Sequence, residues 1–204
     1  MFKNINRIVK IMVASDLIMY SGWGLITPIL AIYVLDKIEG GNVQVAGIAF
    51  GIYWAVKALV QIPLAHWLDS NHGEKDDYYS LVGGIALASL TPIGFIFAVQ
   101  PWHMYVLQAV HAAGMAIVIP SWSGIYTRHI PKRREAFCWA LDSSAINVGL
   151  GLSGVVGGVL AKMFGFIPLF IIVSLMGFIS VILLLIVGSK DILPKERIYP
   201  IPKP

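Results

Sequence analysis

Residues 167–187 read IPLFIIVSLMGFISVILLLIV and contain no charged side chain. As an α-helix, about 20 apolar residues cross the roughly 30 Å of hydrocarbon in a lipid bilayer. Five further apolar stretches come before this one, and they cover about 8–35, 43–68, 79–99, 102–126 and 137–163. The sequence therefore predicts an all-α integral membrane protein with six transmembrane helices, which we number spans one to six.

Composition supports this class and argues against a soluble domain. Hydrophobic residues make up 57% of the chain and charged residues 13%, against roughly 45–50% and about 25% in soluble domains. The mean hydropathy is +0.77. Because little sequence lies outside the six stretches, we expect one bundle at 1–190 and a Pro-rich cytoplasmic tail at 191–204.

Positive charge is concentrated in alternate gaps between the spans. The gaps before span one, after span four and after span six hold Lys3, Arg7, Lys10, Arg128, Lys132, Arg133, Arg134, Lys190, Lys195, Arg197 and Lys203. The gaps on the other side hold Lys37 and Lys162. Lysine and arginine favour the cytoplasmic side, so we expect both termini in the cytoplasm of a cell (inner or plasma) membrane protein. Lipid is then the expected partner, and nucleic acid is not.

The reactive residue types do not predict enzymatic chemistry. Cys138 is the only cysteine in the sequence, so we expect no intrachain disulfide and no cysteine metal site. No second histidine stands at metal-ligand spacing, and the sequence has no nucleotide-binding loop. We therefore expect a protein that is not an enzyme and holds no metal or cofactor.

Span five is rich in small residues. Gly149, Ser153 and Gly157 recur every four residues, and so do Gly154 and Gly158. Small residues at this spacing allow another helix backbone to approach closely. They indicate either packing inside one bundle or a seam between two bundles.

The order of motifs along the chain is similar to that of a known family. On spans four to six, AGMAIVIP at 113–120 is followed by IPKRREAF at 130–137, GVVGG at 154–158 and LAKMFGFIPLF at 160–170. GLITP at 24–28 with Tyr33, and PLAHWLD at 63–69, fit the beginning of the same family. The chain resembles one half of a major facilitator superfamily (MFS) transporter, and the resemblance covers essentially its whole length.

This resemblance implies an architecture. The family has twelve spans in two six-helix halves related by an axis along the membrane normal. A six-span chain with both ends inside would replace that pseudo-twofold by a true twofold in a homodimer. Spans one and four would line a central cavity, and spans two and five would meet spans five and two of the second copy. The dimer seam would consist of Gly149, Ser153, Gly154, Gly157 and Gly158.

The resemblance also implies a cytoplasmic latch. The aspartate of the connection after span two helps to hold one state of the transporter in this family, and Asp69 matches it. It would face the positive end of a helix dipole at the start of span five. Arg133 or Arg134 would be its ionic partner.

Ionisable side chains inside the predicted spans are candidates for a transport pathway, because a charge there costs at least about 2.5–3.5 kcal/mol. By helical rise, Lys57 lies roughly 18 Å from the cytoplasmic end, and Asp16 and Asp142 lie roughly 9 Å inside. Lys57 forms either a structural ion pair or a cavity site that binds an anionic group or changes its protonation during a transport cycle. His111, near the middle of span four, is either a proton-coupling group or a hydrogen-bond partner between helices.

Polar and aromatic side chains complete the predicted pathway. A mostly apolar pocket with a few converging polar groups is typical of a small-molecule site. The remaining pathway candidates are Tyr20, Trp23, Tyr53, Trp54, Gln108, Trp122 and Asn147.

Together with the resemblance, these residues predict a homodimeric secondary transporter of a small organic solute that works by alternating access, with the proton as a candidate coupling ion. Two alternatives are a non-transporting membrane scaffold and one half of a heterodimeric transporter. A third is a shortened form of a longer protein, against which the Pro-rich tail argues, because it resembles a natural end.

Overall fold

The six predicted spans are helices in the structure. A computed structural model of the chain describes residues 5–70 and 74–191. Span one consists of helix Arg7–Ile26, a 3-10 turn at Thr27–Ile29 and helix Leu30–Lys37. Spans two to six are Val43–Ser70, Glu74–Ile96, Pro101–His129, Glu135–Phe164 and Phe166–Asp191. Within the described ranges, all six are long and apolar enough to cross a membrane, which confirms the fold class; the tail at 192–204 lies outside these ranges.

Span three begins earlier than hydropathy predicts, at Glu74 instead of near residue 79. Its first turn carries Glu74, Asp76 and Asp77. Acidic side chains stabilise the N-terminal end of a helix through its dipole. A search for apolar stretches does not detect such a polar first turn, so the predicted boundary was too late.

Span one is interrupted at Pro28. Proline has no backbone N–H and therefore cannot make the regular helical bond, and the Thr27 hydroxyl donates to the Trp23 carbonyl at 2.7 Å. Beyond the interruption, the Tyr33 hydroxyl donates to the Phe95 carbonyl at 2.5 Å, and its ring packs edge-on against Phe170. Helix Leu30–Lys37 is therefore also fixed by spans three and six, besides its covalent link to the helix before it.

The six spans form an open arc. Span one packs between spans five and six, span four packs between spans two and three, and spans three and six pack against each other. Around the bundle the order is therefore five, one, six, three, four, two. Spans two and five are the two ends of the arc, and spans one and four contact each other on its inner side.

Burial separates the two end spans from the other four. In spans two and five, 11% of the apolar window is buried within the described chain, against 44% or 50% in the others. Large side chains such as Leu59, Ile62, Leu152 and Val155 are exposed on these two spans. An apolar surface of this extent requires lipid or another protein to cover it.

Buried hydroxyl groups connect the inner spans. Ser15 and Ser180 are hydrogen-bonded at 2.5 Å between spans one and six. The Tyr78 hydroxyl donates to the Leu184 carbonyl at 3.0 Å, and the Ser174 hydroxyl donates to the Ser89 carbonyl at 2.7 Å. Such bonds between helices replace the water contacts that a bilayer cannot offer.

One small-residue stripe of span five is buried against span one of the same chain. A Cβ atom at Gly157 would overlap the backbone of Leu25, and one at Gly149 would lie 2.6 Å from the Ser21 hydroxyl. The Ser153 hydroxyl occupies the space that a side chain at Gly24 would need. The seam prediction is therefore corrected for Gly149, Ser153 and Gly157, because their own bundle already covers them.

The second stripe is not covered in this way. No described atom lies within 4 Å of a Cβ built at Gly158. At Gly154 the nearest atom is the Gly24 carbonyl oxygen at 3.6 Å, an ordinary contact. Gly154 and Gly158 remain available to a partner.

The two stripes predict opposite effects of the same substitution at adjacent positions. Gly157→Leu forces a side chain into the Leu25 backbone and should destabilise the bundle by about 1–3 kcal/mol or more. Gly158→Leu places the same side chain in open space and should leave stability unchanged. Thermal unfolding in detergent, at a dilution where the chain is monomeric, would measure both; equal loss in the two variants would contradict the described packing.

Candidate functional site: a cavity inside the arc

A cavity of about 390 Å³ lies on the inner side of the arc. Spans one, two and four supply its walls, and Leu150 contributes from span five. Its volume is within the range of small-molecule sites. Six of the predicted pathway residues line it, and these are Tyr20, Trp23, Tyr53, Trp54, Gln108 and His111.

Stacked rings form the centre of the cavity wall. The Trp23 and His111 rings are parallel within 10°, with centroids 3.7 Å apart. Tyr53 lies on His111 as well, at 4.9 Å between centroids. His111 therefore contacts rings from two other spans, and the three rings form one aromatic cluster at the cavity.

Lys57 lies at the edge of these aromatic residues. Its Nζ atom is 5.0 Å from the Trp54 ring centroid and 5.7 Å from that of Tyr53. A cation over an aromatic face at such distances is attracted by the ring quadrupole. No carboxylate among residues 5–70 and 74–191 forms an ion pair with Lys57. Of its two sequence interpretations, the structural ion pair is therefore not seen.

Two predicted pathway residues lie away from the cavity. Trp122 is 7% exposed and stacks on Tyr126 at 4.3 Å between centroids, so it belongs to the packed core. Asn147 is exposed on span five and is not among the residues that line the cavity. Trp122 is a correction to the predicted pathway, because helical spacing gives a residue's face but not the neighbour that covers it. The pathway role of Asn147 stays a prediction.

Asp16 and Asp142 also lie away from the cavity walls but are buried, at 4% and 5% exposed. They stand on spans one and five, which pack against each other. Tyr20, one helical turn after Asp16, lines the cavity.

The charged end of the bundle contains an ion cluster that sequence reasoning did not single out. Arg128, in the last turn of span four, donates through Nε to Glu74 at 3.1 Å and through Nη2 to Asp77. Glu74 also lies 3.7 Å from His129. The sequence contained a signal for this cluster. Span three begins with acidic residues and span four ends with basic ones, and in antiparallel neighbours these two ends meet at the same end of the bundle.

The predicted latch lies at this same end. Asp69 and Arg133 are exposed, and Arg133 has a positive φ of 67° in the connection before span five. The ion pairs described here join spans three and four rather than spans two and five. The pairing of Asp69 with Arg133 or Arg134 stays a prediction.

Comparison with known proteins identifies the family. Residues 12–201 match the Major Facilitator Superfamily. The chain belongs to this superfamily. It is also 25% identical to an uncharacterised MFS-type transporter of Methanocaldococcus jannaschii, over 79% of this chain and 40% of the relative.

Two further relatives carry names that refer to drug resistance. The chain is 27% identical to a homologue of the multidrug-resistance efflux pump PmrA of Lactococcus lactis, over 76% of this chain and 37% of the relative. It is 25% identical to the multidrug resistance protein MdtG of Proteus mirabilis, over 87% and 44%. The chain spans about half the length of the curated relatives it matches.

The cavity predicts unequal roles for two similar tryptophans of span two. Trp54 and Trp67 are both 50% exposed, but only Trp54 lines the cavity among the described residues. Trp54→Ala should weaken binding of the neutral dye N-phenyl-1-naphthylamine about tenfold, since an aromatic contact contributes about 1.4 kcal/mol. Trp67→Ala should not. Dye fluorescence in nanodiscs, corrected for empty discs, measures the dye affinity of both variants. Similar affinities would show that the dye does not bind in the cavity.

The ion cluster predicts a stability difference between two basic residues. Arg128→Met leaves the buried carboxylate of Asp77 without its cation and should lower the free energy of unfolding by about 2 kcal/mol. Lys132→Met, at an exposed position three residues after His129 and outside the cluster, should change it little. Unfolding by increasing denaturant in mixed micelles would compare them. An unaffected Arg128→Met variant would show that the cluster does not stabilise the bundle.

Proposed function

We propose that this chain is one half of a membrane transporter, in which two copies assemble and move a small organic solute by alternating access. The observation that carries the proposal is the cavity at the inner side of the arc. It combines an aromatic wall with a few polar groups, namely the Tyr20 hydroxyl, the Gln108 amide and the His111 ring. A polar centre of this kind inside a membrane bundle is typical of a solute pathway rather than of lipid-facing packing.

The cavity lacks a wall of its own on one side. The lining residues Ala31, Phe50 and Trp54 are exposed in the single chain, and spans two and five at the ends of the arc do not cover them. In a monomer, lipid chains would have access to this side. A second bundle placed against spans two and five would close the cavity and exclude lipid from it.

The outward face of span five supports a protein partner there. Ala140, Asn147, Gly151, Gly154 and Gly158 recur three, four or seven residues apart, which puts them on one side of a helix. All five are exposed or half-exposed. Small or polar residues make few favourable contacts with lipid chains, whereas another helix can pack closely against them.

Span two has a matching face. Gly47, Gly51, Ala55 and Ala58 follow the same spacing and are exposed, and no described atom lies within 4 Å of a Cβ built at either glycine. In a twofold pair, span two of each copy would meet span five of the other. Small residues on both sides would allow close approach of the two backbones.

The assembled pair would have twelve spans related by an axis along the membrane normal, the arrangement of two parallel halves in this superfamily. Both basic ends would then lie on the same side of the membrane, which the positive-inside rule makes the cytoplasm. Rocking of the two identical bundles would expose the shared cavity to each side in turn.

The chemistry of the cavity and the names of two relatives point to the same solute class. Aromatic rings dominate the wall, and the nearby cation of Lys57 suits an anionic or hydrogen-bonding group. Drug-resistance proteins are among the relatives. We therefore propose an amphipathic organic molecule as the solute.

Subunit count in lipid nanodiscs, by native mass spectrometry, tests the assembly. The wild-type chain should be a dimer, and Gly158→Leu on the outward face of span five should convert it to a monomer. Gly83→Leu is the matched control, because Gly83 on span three also faces open space but lies outside the proposed seam. A dimer that survives Gly158→Leu would exclude this face of span five as the seam, and a persistent wild-type monomer would favour a heterologous partner or a scaffold role.

Release of entrapped ethidium or carboxyfluorescein from proteoliposomes tests transport itself. Gly158→Leu should reduce release to the rate of protein-free liposomes. Joining two Gly158→Leu copies by a flexible linker raises their effective concentration and should restore part of the release. Failure of the linked pair, when its cavity still binds dye, would count against transport by a homodimer.

A further inference from the structure

Lys57 is a cationic side chain in the interior of a membrane span. By helical rise it lies roughly 20 Å from the end of span two at Ser70, so it is near the middle of about 30 Å of hydrocarbon. The residue is half-buried. A charge at this depth is costly, and it requires a partner or a function that accounts for it.

The side chain of Lys57 extends towards the cavity. Its Nζ atom lies 5.0 Å from the Trp54 ring centroid and 5.7 Å from that of Tyr53. These two residues precede Lys57 by three and four positions, and both line the cavity. The ammonium group therefore points back along span two to the cavity and away from the Ser70 end of the helix.

Lys57 also continues the face of span two that lines the cavity. Ala46, Phe50 and Tyr53 are lining residues, and Lys57 follows them at the same spacing of three or four positions. Residues at this spacing lie on one side of a helix. Lys57 is thus one helical turn beyond the lining residues of span two, on the same side.

The chain supplies no counter-ion for this cation. No carboxylate within residues 5–70 and 74–191 forms an ion pair with Lys57. In the described spans, the acidic residues more than one turn from a helix end are Asp16 and Asp142. Both are buried in their own chain, at 4% and 5% exposed. A second copy of the chain therefore brings no free carboxylate to this depth.

The aromatic rings beside Lys57 replace a counter-ion only in part. They attract the cation, but its charge remains, and an ammonium group has three N–H donors to satisfy. An anion would neutralise the charge and accept a charge-assisted hydrogen bond. Lipid phosphates lie about 15 Å from the bilayer middle, so they do not reach Lys57. The remaining source of an anion is a molecule in the cavity.

We propose that Lys57 binds an anionic group of the solute, while the aromatic cluster of Trp23, Tyr53 and His111 binds its ring. The solute class is then an amphipathic organic anion, such as an aromatic carboxylate or sulfonate. The Gln108 amide, which also lines the cavity, can hydrogen-bond to the same molecule. Movement of this anion across the membrane rests on the proposed transport function, whereas its binding does not.

Two dyes with one ring system test the role of the charge. 8-Anilino-1-naphthalenesulfonate is N-phenyl-1-naphthylamine with one added sulfonate. In nanodiscs of neutral lipid, corrected for empty discs, the ratio of anionic-dye to neutral-dye affinity should fall about tenfold in Lys57→Met. Lys57→Arg should keep the wild-type ratio, because arginine retains the cation. Lys162→Met should also keep it, because it removes the same charge from an exposed position on span five. An unchanged ratio in Lys57→Met, or an equal fall in Lys162→Met, would overturn the proposal.

Competition on the wild-type protein tests the solute class without any substitution. 2-Naphthoate should displace the neutral dye at a lower concentration than 2-naphthylmethylammonium, a cation with the same rings. Displacement by the cation at an equal or lower concentration would overturn the proposal. Octanoate, a carboxylate with an acyl chain, should displace the dye less well than 2-naphthoate. The reverse order would assign the site to a fatty acid and would overturn an aromatic ligand.

Dye release from proteoliposomes separates binding from transport. After subtraction of the leak from protein-free liposomes, the ratio of carboxyfluorescein to ethidium release should fall about tenfold in Lys57→Met and stay unchanged in Lys162→Met. A wild-type protein that releases ethidium but not carboxyfluorescein would overturn the anion as the transported solute. Release of neither dye would count against the proposed transport function, and the binding measurements would still decide the anion site.

Discussion

The close approach of spans one and five is the contact on which the other features depend. Gly157 lies directly on the backbone at Leu25, and Ser153 fills the space beside Gly24. This approach fixes the rotation of span five about its own axis. The face with Gly158 is thereby left open, with no described atom within 4 Å of a Cβ built there.

An analogous contact joins the other half of the arc. The Cβ positions of Gly84 on span three and Gly114 on span four would each come within 2.9 Å of the other's carbonyl oxygen. The arc therefore contains two closely packed helix pairs. Spans one and five form one pair, and spans three and four form the other. Span six lies between them and contacts both spans one and three. Such dense pairing gives a body that can move as a unit, because packed interfaces deform little.

The sequence was sufficient for the features that depend on one helix at a time. Six spans follow from apolar length, and Tyr20, Trp23, Tyr53, Trp54, Gln108 and His111 stand out because polar and aromatic groups are unusual there. Features that depend on a neighbour were less accessible. Two glycine stripes on span five have the same spacing, and only the position of span one tells which is covered. Trp122 matched the pathway pattern equally well, yet Tyr126 and the core surround it.

The interruption at Pro28 divides the part of the cavity wall that span one supplies into two helical segments. Tyr20 and Trp23 belong to the helix that packs on spans five and six, whereas Leu30, Ala31 and Val34 belong to a short helix beyond a 3-10 turn. The Tyr33 side chain holds this short helix on spans three and six. The two parts of the wall are therefore attached to different neighbours, and a shift between those neighbours would change the width of the cavity.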